Sequence, residues 1–239
     1  MQTAINSQHS TLNPLPWLPW LLQTSDALFP TGAYAHSLGF EEIVRLGIVH
    51  NEATLATFLR QQILPAQQRQ ELPYLRFAHA FACANDIPAL ATLDHEINAW
   101  KIPAELRSAS LRLGSRRLDI LLKTAPTPLL AAISGEIAAN AMPGHHLTIT
   151  AAQYAAIPLE AALMTCMYQT LSSYCVAALK LLRIGQEACQ RVLASALAQA
   201  PAVVSDSLAI QRAQAGCFNP LLEIASMRHQ TAFERLFIS

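Results

Sequence analysis

The chain has 239 residues, 52% of them apolar and 13% charged, and its 16 Lys and Arg are balanced by 16 Asp and Glu. That length buries a core without help from disulfides or metals, while the zero formal charge supplies no long-range field for nucleic acid or an anionic membrane. So few charges do not cover an ordinary monomer of this size, and part of the apolar surface is expected to meet a partner.

Taken in chain order, the pattern is helical almost throughout, with no alternating β-branched runs between hairpin turns, so the fold class is all-α, a single-domain helical bundle. Residues 1–19 read as a flexible N-terminal extension, and residues 20–239 as the all-α domain with a C-terminal docking tail. Phe29-Pro30-Thr31-Gly32 has Pro and Gly at the second and fourth positions of a β-turn and is expected to deliver the chain into a helix from about Tyr34. Asn51 caps a helix whose Leu55, Phe58, Leu59 and Ile63 share a face, with Pro65 near its end. Leu72, Leu75, His79 and Ala82 continue the spacing up to Asn85-Asp86-Ile87-Pro88. Leu90, Leu93, Ile97 and Trp100 form the next stripe, which stops near Ile102-Pro103.

Leu106 to Lys123 follows as a helix with its arginines outward. Thr124-Ala125-Pro126-Thr127-Pro128 is a rigid connector, and Met142-Pro143-Gly144-His145-His146 is expected to be a solvated loop. Pro158 opens a long helix to Leu182, apolar on nearly all sides and therefore expected in the middle of the bundle, with Gly185 ending it. Glu187 to Ala200 and Val203 to Ala213 are further helices. Asn219 and Pro220 cap and start the last one, through Leu222, Ile224, Ala225 and Met227.

No Lys or Arg precedes Arg45, so the N-terminus has neither the charged region of a secretory signal nor an Arg-rich transit pattern, and a cytoplasmic location is expected. Cys83, Cys166, Cys175, Cys189 and Cys217 are odd in number and never in C-x-x-C spacing, which argues for buried, reduced thiols rather than a disulfide framework or zinc site. Ala161 to Leu179 is the most membrane-like stretch, but Thr165, Gln169, Thr170, Ser172 and Ser173 interrupt it, so no membrane span is expected.

The segment FPTGAYAHSLGFE, Phe29 to Glu41, concentrates the polar chemistry. It is not a phosphate loop, because Gly32 and Gly39 are too far apart and no lysine follows. Nor are His36 and Ser37 a nucleophile and its base, since helical neighbours point in different directions. A turn that leaves Tyr34, His36 and Ser37 as core or recognition groups is the better reading. His145 and His146 lack further ligands and make a poor metal site. Arg107, Arg112, Arg116, Arg117 and Lys123 lack aromatic interleaving and read as a solvated face rather than a nucleic-acid surface. Lys180 suits a helix C-terminus. Met227 to Ser239 carries Phe, Leu and Ile up to the chain end, so that end must dock on its own core or on another protein.

Together SDALFPTGAYAHSLGFEE (Ser25 to Glu42), ALKLLRIGQEACQRVL (Ala178 to Leu193) and LEIASMRHQTAFERLFIS (Leu222 to Ser239) resemble, in order, the signatures of the UreF family of urease accessory proteins. The resemblance implies a non-catalytic, cofactor-free homodimer, with no metal-ligating residue assigned. Its implied work is to bind a UreD/UreH-type accessory protein and recruit the GTPase UreG for nickel insertion into apo-urease. It places partner-binding residues at Pro30, Gly32, Tyr34, His36, Ser37, Glu41, Lys180, Gln186, Arg228, His229, Arg235, Phe237 and Ser239. Phe40 stands where the family usually has Leu, and Gln230 where it has Glu, which removes a possible partner for an arginine. The rivals are a helical enzyme using His36, Ser37 and Glu41, and an RNA-binding domain using Arg112, Arg116 and Arg117.

Overall fold

The computed structural model describes residues 15–26, 28–32 and 36–238. Residues 1–14, Tyr34 and Ser239 therefore lie outside the described part. Among the described residues every regular element is helical, as the periodicity predicts.

The first helix, α1 (Leu18–Ser25), begins inside the span read as an extension. It packs Leu21 against Tyr154, Ile157 and Ala162 in a small cluster apart from the main core. Helix α2 (Phe40–Arg45) starts later than the sequence suggests. The turn before it is tighter than a β-turn, with the Thr31 N–H donating to the Phe29 carbonyl across Pro30 at 2.8 Å.

From Glu52 to Cys83 the chain follows one uninterrupted helical path: α3 (Glu52–Phe58), a π-turn (Leu59–Ile63), α4 (Leu64–Ala66), a second π-turn (Gln67–Glu71) and α5 (Leu72–Cys83). Asn51 caps it as expected, its side chain accepting the Thr54 N–H at 2.9 Å. Pro65 does not end it. A helical proline lacks a donor and crowds the carbonyl four residues back. Here the Leu64 and Leu72 N–H groups instead reach Leu59 and Gln67, five residues back, and these wider turns admit Pro65 and Pro73 without a break.

Helices α6 (Ile87–Trp100) and α7 (Ala104–Thr124) follow. Next come α8 (Pro128–Ala138), capped by Thr127, and a short α9 (His146–Gln153) that the turn residues before it conceal. The long α10 (Leu159–Leu181) packs against α5, α2, α1, α11 (Gln186–Leu197) and α12 (Ala200–Leu208). Tyr168, Val176 and Leu179 nevertheless stay exposed, so α10 is covered on one side and not all round. Gly185 does not terminate α10 but precedes α11 as its N-cap, at an ordinary φ of −79°. After a 3₁₀ turn (Arg212–Gln214), Asn219 caps α13 (Pro220–Gln230) as predicted, accepting the Leu222 N–H at 3.3 Å. No described helix is long and apolar enough to cross a membrane.

Two expectations about polar residues are corrected. The Met142–His146 loop is buried rather than solvated, because Asp94, itself fully buried, gathers the N–H groups of Gly144 (2.6 Å) and His145 (3.1 Å) and the Thr148 hydroxyl (2.5 Å). The His145 ring lies 3.0 Å from the Ser110 hydroxyl and 3.2 Å from Asn98 Oδ1. Gly114 on α7 makes this approach possible, since a Cβ there would stand 2.1 Å from the Gly144 carbonyl oxygen. The second correction is Arg117, which points inward, donating to Gln153 at 2.5 Å and lying over the Phe29 ring. The cysteines differ as well: Cys175 and Cys189 are buried, whereas Cys83 is exposed and Cys166 and Cys217 are half-buried.

Candidate partner-binding surface

The N-terminal, central and C-terminal signatures meet in space around the start of α2. Gly39 makes the meeting possible. Its φ of +84° suits glycine, and a Cβ there would lie 2.5 Å from Ser226 Oγ and 3.1 Å from Ser226 N, so only a bare backbone lets α2 rest on α13. Phe40, fully buried, follows at once and packs its ring 5.4 Å from Phe58 and 5.6 Å from Tyr174. The larger ring at this position is therefore taken up by an aromatic cluster.

Two adjacent carboxylates then hold the C-terminal segment. Glu41 accepts the N–H groups of Leu236 (2.8 Å) and Phe237 (3.0 Å) and faces His229 Nε2 at 3.0 Å. The other ring nitrogen of His229 lies 3.0 Å from Glu105, which also takes Arg235 at 3.2 Å. Glu42 receives Arg45 at 2.5 Å and Arg228 at 2.8 Å. Burial opposes ionisation of Glu41, but the two backbone donors and the His229 ring outweigh it and hold the carboxyl below its usual range. For Glu42 the Arg45 guanidinium is the leading cause of a shift in the same direction, with Arg228 adding to it against burial.

The tail thus has two sides. Phe237 is buried, with the Lys180 ammonium 5.1 Å from its ring centre, while Phe233 is fully exposed and Leu236 and Ile238 are 63% and 56% exposed. An open hollow of about 390 Å³ runs between Arg45, Arg228 and Phe233.

Of the residues expected to bind partners, Glu41, Lys180, Arg228, His229, Arg235 and Phe237 are brought together. Pro30 and Gln186 are exposed, and Gly32 is half-buried. His36 and Ser37 are buried. Burial, followed by the nearby Arg112 charge, lowers the His36 pKa, and the Ser37 hydroxyl accepts the Glu41 N–H at 3.4 Å near the start of α2. The Glu41 carboxylate is taken up by His229 and the tail. The buried Arg117 likewise separates itself from Arg112 and Arg116, which removes the common face an RNA site would need.

Glu42 and Glu105 are the residues that sequence reasoning missed. Glu42 stood inside the quoted N-terminal signature, whereas Glu105 carries no local signal, since its partners are more than a hundred residues away. The arginines of the tail find these carboxylates and do not depend on position 230, where Gln230 is exposed.

The UreF family model matches residues 49–197. The chain belongs to the UreF family. The UreF protein of Paenarthrobacter aurescens is 33% identical over 92% of this chain and 96% of its own length. That of Chromohalobacter salexigens is 30% identical over the full length of both. The bifunctional urease accessory protein UreEF of Bordetella bronchiseptica is 31% identical over 92% of this chain and 51% of its own length. The segment matched by the UreF model stops short of both Glu41 and the tail, whereas the match to the Chromohalobacter protein runs across both regions.

Proposed function

We propose that the chain is a non-catalytic scaffold for urease maturation, joining a UreD/UreH-type accessory protein to the GTPase UreG so that nickel enters apo-urease. It works as a cytoplasmic homodimer, within residues 20–239 and through the C-terminal docking tail. Membership of a urease accessory family supports this reading. A relative named as a bifunctional UreEF, in which such a chain makes up about half the protein, fits a role among other accessory proteins.

The observation that carries the reading is the two-sided tail: Phe237 is anchored in the core while Phe233, Leu236 and Ile238 are offered outward on a clasp of charged groups. An apolar segment held in place but left uncovered is pre-organised for a protein partner. Pro30, Gly32, Tyr34, Arg228, Arg235 and Ser239 contribute the recognition surface, with His36, Ser37, Glu41 and His229 shaping it from beneath. Lys180 and Gln186 serve the GTPase contact.

The test is a pull-down with the purified UreD/UreH-type partner. Deleting the segment after Gln230, or making Arg235→Ala, is expected to weaken capture at least tenfold while far-UV circular dichroism keeps its helical signal. Capture at the wild-type level by both variants overturns the assignment of the tail.

A further inference from the structure

Cys83 is the one exposed cysteine among the described residues, and it lies at the last residue of α5 one helical turn after His79. His79 is buried, and its Nε2 lies 3.0 Å from the carbonyl oxygens of both Tyr154 and Ile157. Carbonyls only accept, so Nε2 carries a proton, and Nδ1, the ring nitrogen left to ligate a metal, faces the Cys83 sulfur 3.5 Å away. This is how a metal-ligating histidine is usually arranged, with its second nitrogen donating to a backbone carbonyl that fixes tautomer and ring direction.

The spacing fits as well. Bonds of about 2.3 Å to sulfur and about 2.0–2.1 Å to nitrogen, at a tetrahedral angle, put the two donor atoms about 3.5 Å apart. The last carbonyls of α5 add negative potential on the same side. Cys83 Sγ also lies 3.1 Å from the Ala155 carbonyl oxygen, to which the thiol donates while it keeps its proton.

We propose that His79 Nδ1 and Cys83 Sγ form a surface site for one divalent transition-metal ion of the zinc and cobalt class. The ion replaces the thiol proton, which is released to solvent, and water completes the coordination on the exposed side. No group of three or more His, Cys, Asp or Glu side chains among the described residues is placed to hold a metal, so the site is open and two-pronged. The remaining described cysteines make poor competitors: burial pushes the Cys166 and Cys175 thiols up to about 12 and also raises those of Cys189 and Cys217.

The experiment titrates the reduced full chain with Co²⁺ and reads the near-ultraviolet thiolate-to-cobalt absorption band. The band is expected to saturate at one ion per chain, to be lost in Cys83→Ser, to persist in Cys217→Ser, and to need at least tenfold more Co²⁺ in His79→Asn. If His79→Asn does not fold, the two cysteine variants still decide. No band in the wild type, a band unchanged in Cys83→Ser, or saturation at one ion per two chains overturns the proposal.

Discussion

At the scale of single residues, Gly39 and His145 carry the sharpest consequences. A side chain at Gly39 meets both an unfavourable φ of +84° and the Ser226 backbone. The left-handed conformation costs an alanine about 1–2 kcal/mol before any steric cost is added. Gly39→Ala is therefore expected to lower stability by at least about 2 kcal/mol, read as a fall in denaturation midpoint with the helical signal retained below it.

His145 supplies a pH dependence. Burial, reinforced by the Lys101 and Arg107 charges, lowers its pKa from 6.5 to about 4. The unfolded chain takes up this proton at higher pH than the folded one, so the folded state is favoured above pH 6.5 and loses that advantage as pH falls towards about 4. The loss from this residue amounts to about 3 kcal/mol once pH is below both values. Chemical denaturation at stepped pH should show it, and His145→Asn should flatten the profile over that interval.

At the scale of elements, the clasp between α2 and the tail behaves as one unit. The Glu41 carboxylate serves two backbone donors and a histidine at once, a load that an amide with one acceptor oxygen cannot carry. Glu41→Gln is expected to free residues 231–238, seen as at least fivefold faster tryptic cleavage after Arg235 with little change in the thermal midpoint of the bundle. Acid should act in the same direction. The folded pKa of Glu41 lies below the ordinary value of 4.5, so its contribution is complete above that value and disappears as pH falls through the lower one. Pepsin, which cleaves in acid beside residues such as Phe233 and Leu236, should therefore show tail release in the wild type only on strong acidification.

At this scale too, part of the structure could be read directly and part could not. Asn51 and Asn219 cap because their side chains reach N–H groups three residues on, a local geometry that composition reveals. Pro65 misled for the opposite reason. Whether a proline stops a helix depends on the packing gained by continuing, and Leu59, Ile63, Leu64, Leu72 and Leu75 all enter the core along that path.

For the whole molecule, the exposed apolar groups are the guide. Phe233, Leu236 and Ile238 on the tail, Ile224 and Met227 on α13, and Tyr168, Val176 and Leu179 on α10 remain uncovered in the single chain. Side chains that stand mostly in solvent, as those of Phe233 and Leu236 do, can be changed with little loss of folding stability while the backbone bond of Leu236 to Glu41 is kept. A Phe233→Ser, Leu236→Ser double variant is thus expected to keep the wild-type thermal midpoint within a degree or two while losing at least tenfold in capture by the UreD/UreH-type partner. A fall in the midpoint together with unchanged capture would assign these residues to the fold.

By itself, the sequence determined the helical class, the capped helix starts at Asn51 and Asn219 and the family, because spacing, caps and signature order are properties of neighbours along a chain. Only the tertiary structure decided that the His145 loop is buried, that Arg117 turns inward, and that Glu41, Glu42 and Glu105 clasp the tail. Those outcomes depend on which distant groups satisfy a buried charge, and carboxylates more than a hundred residues from their partners leave no periodic or local trace.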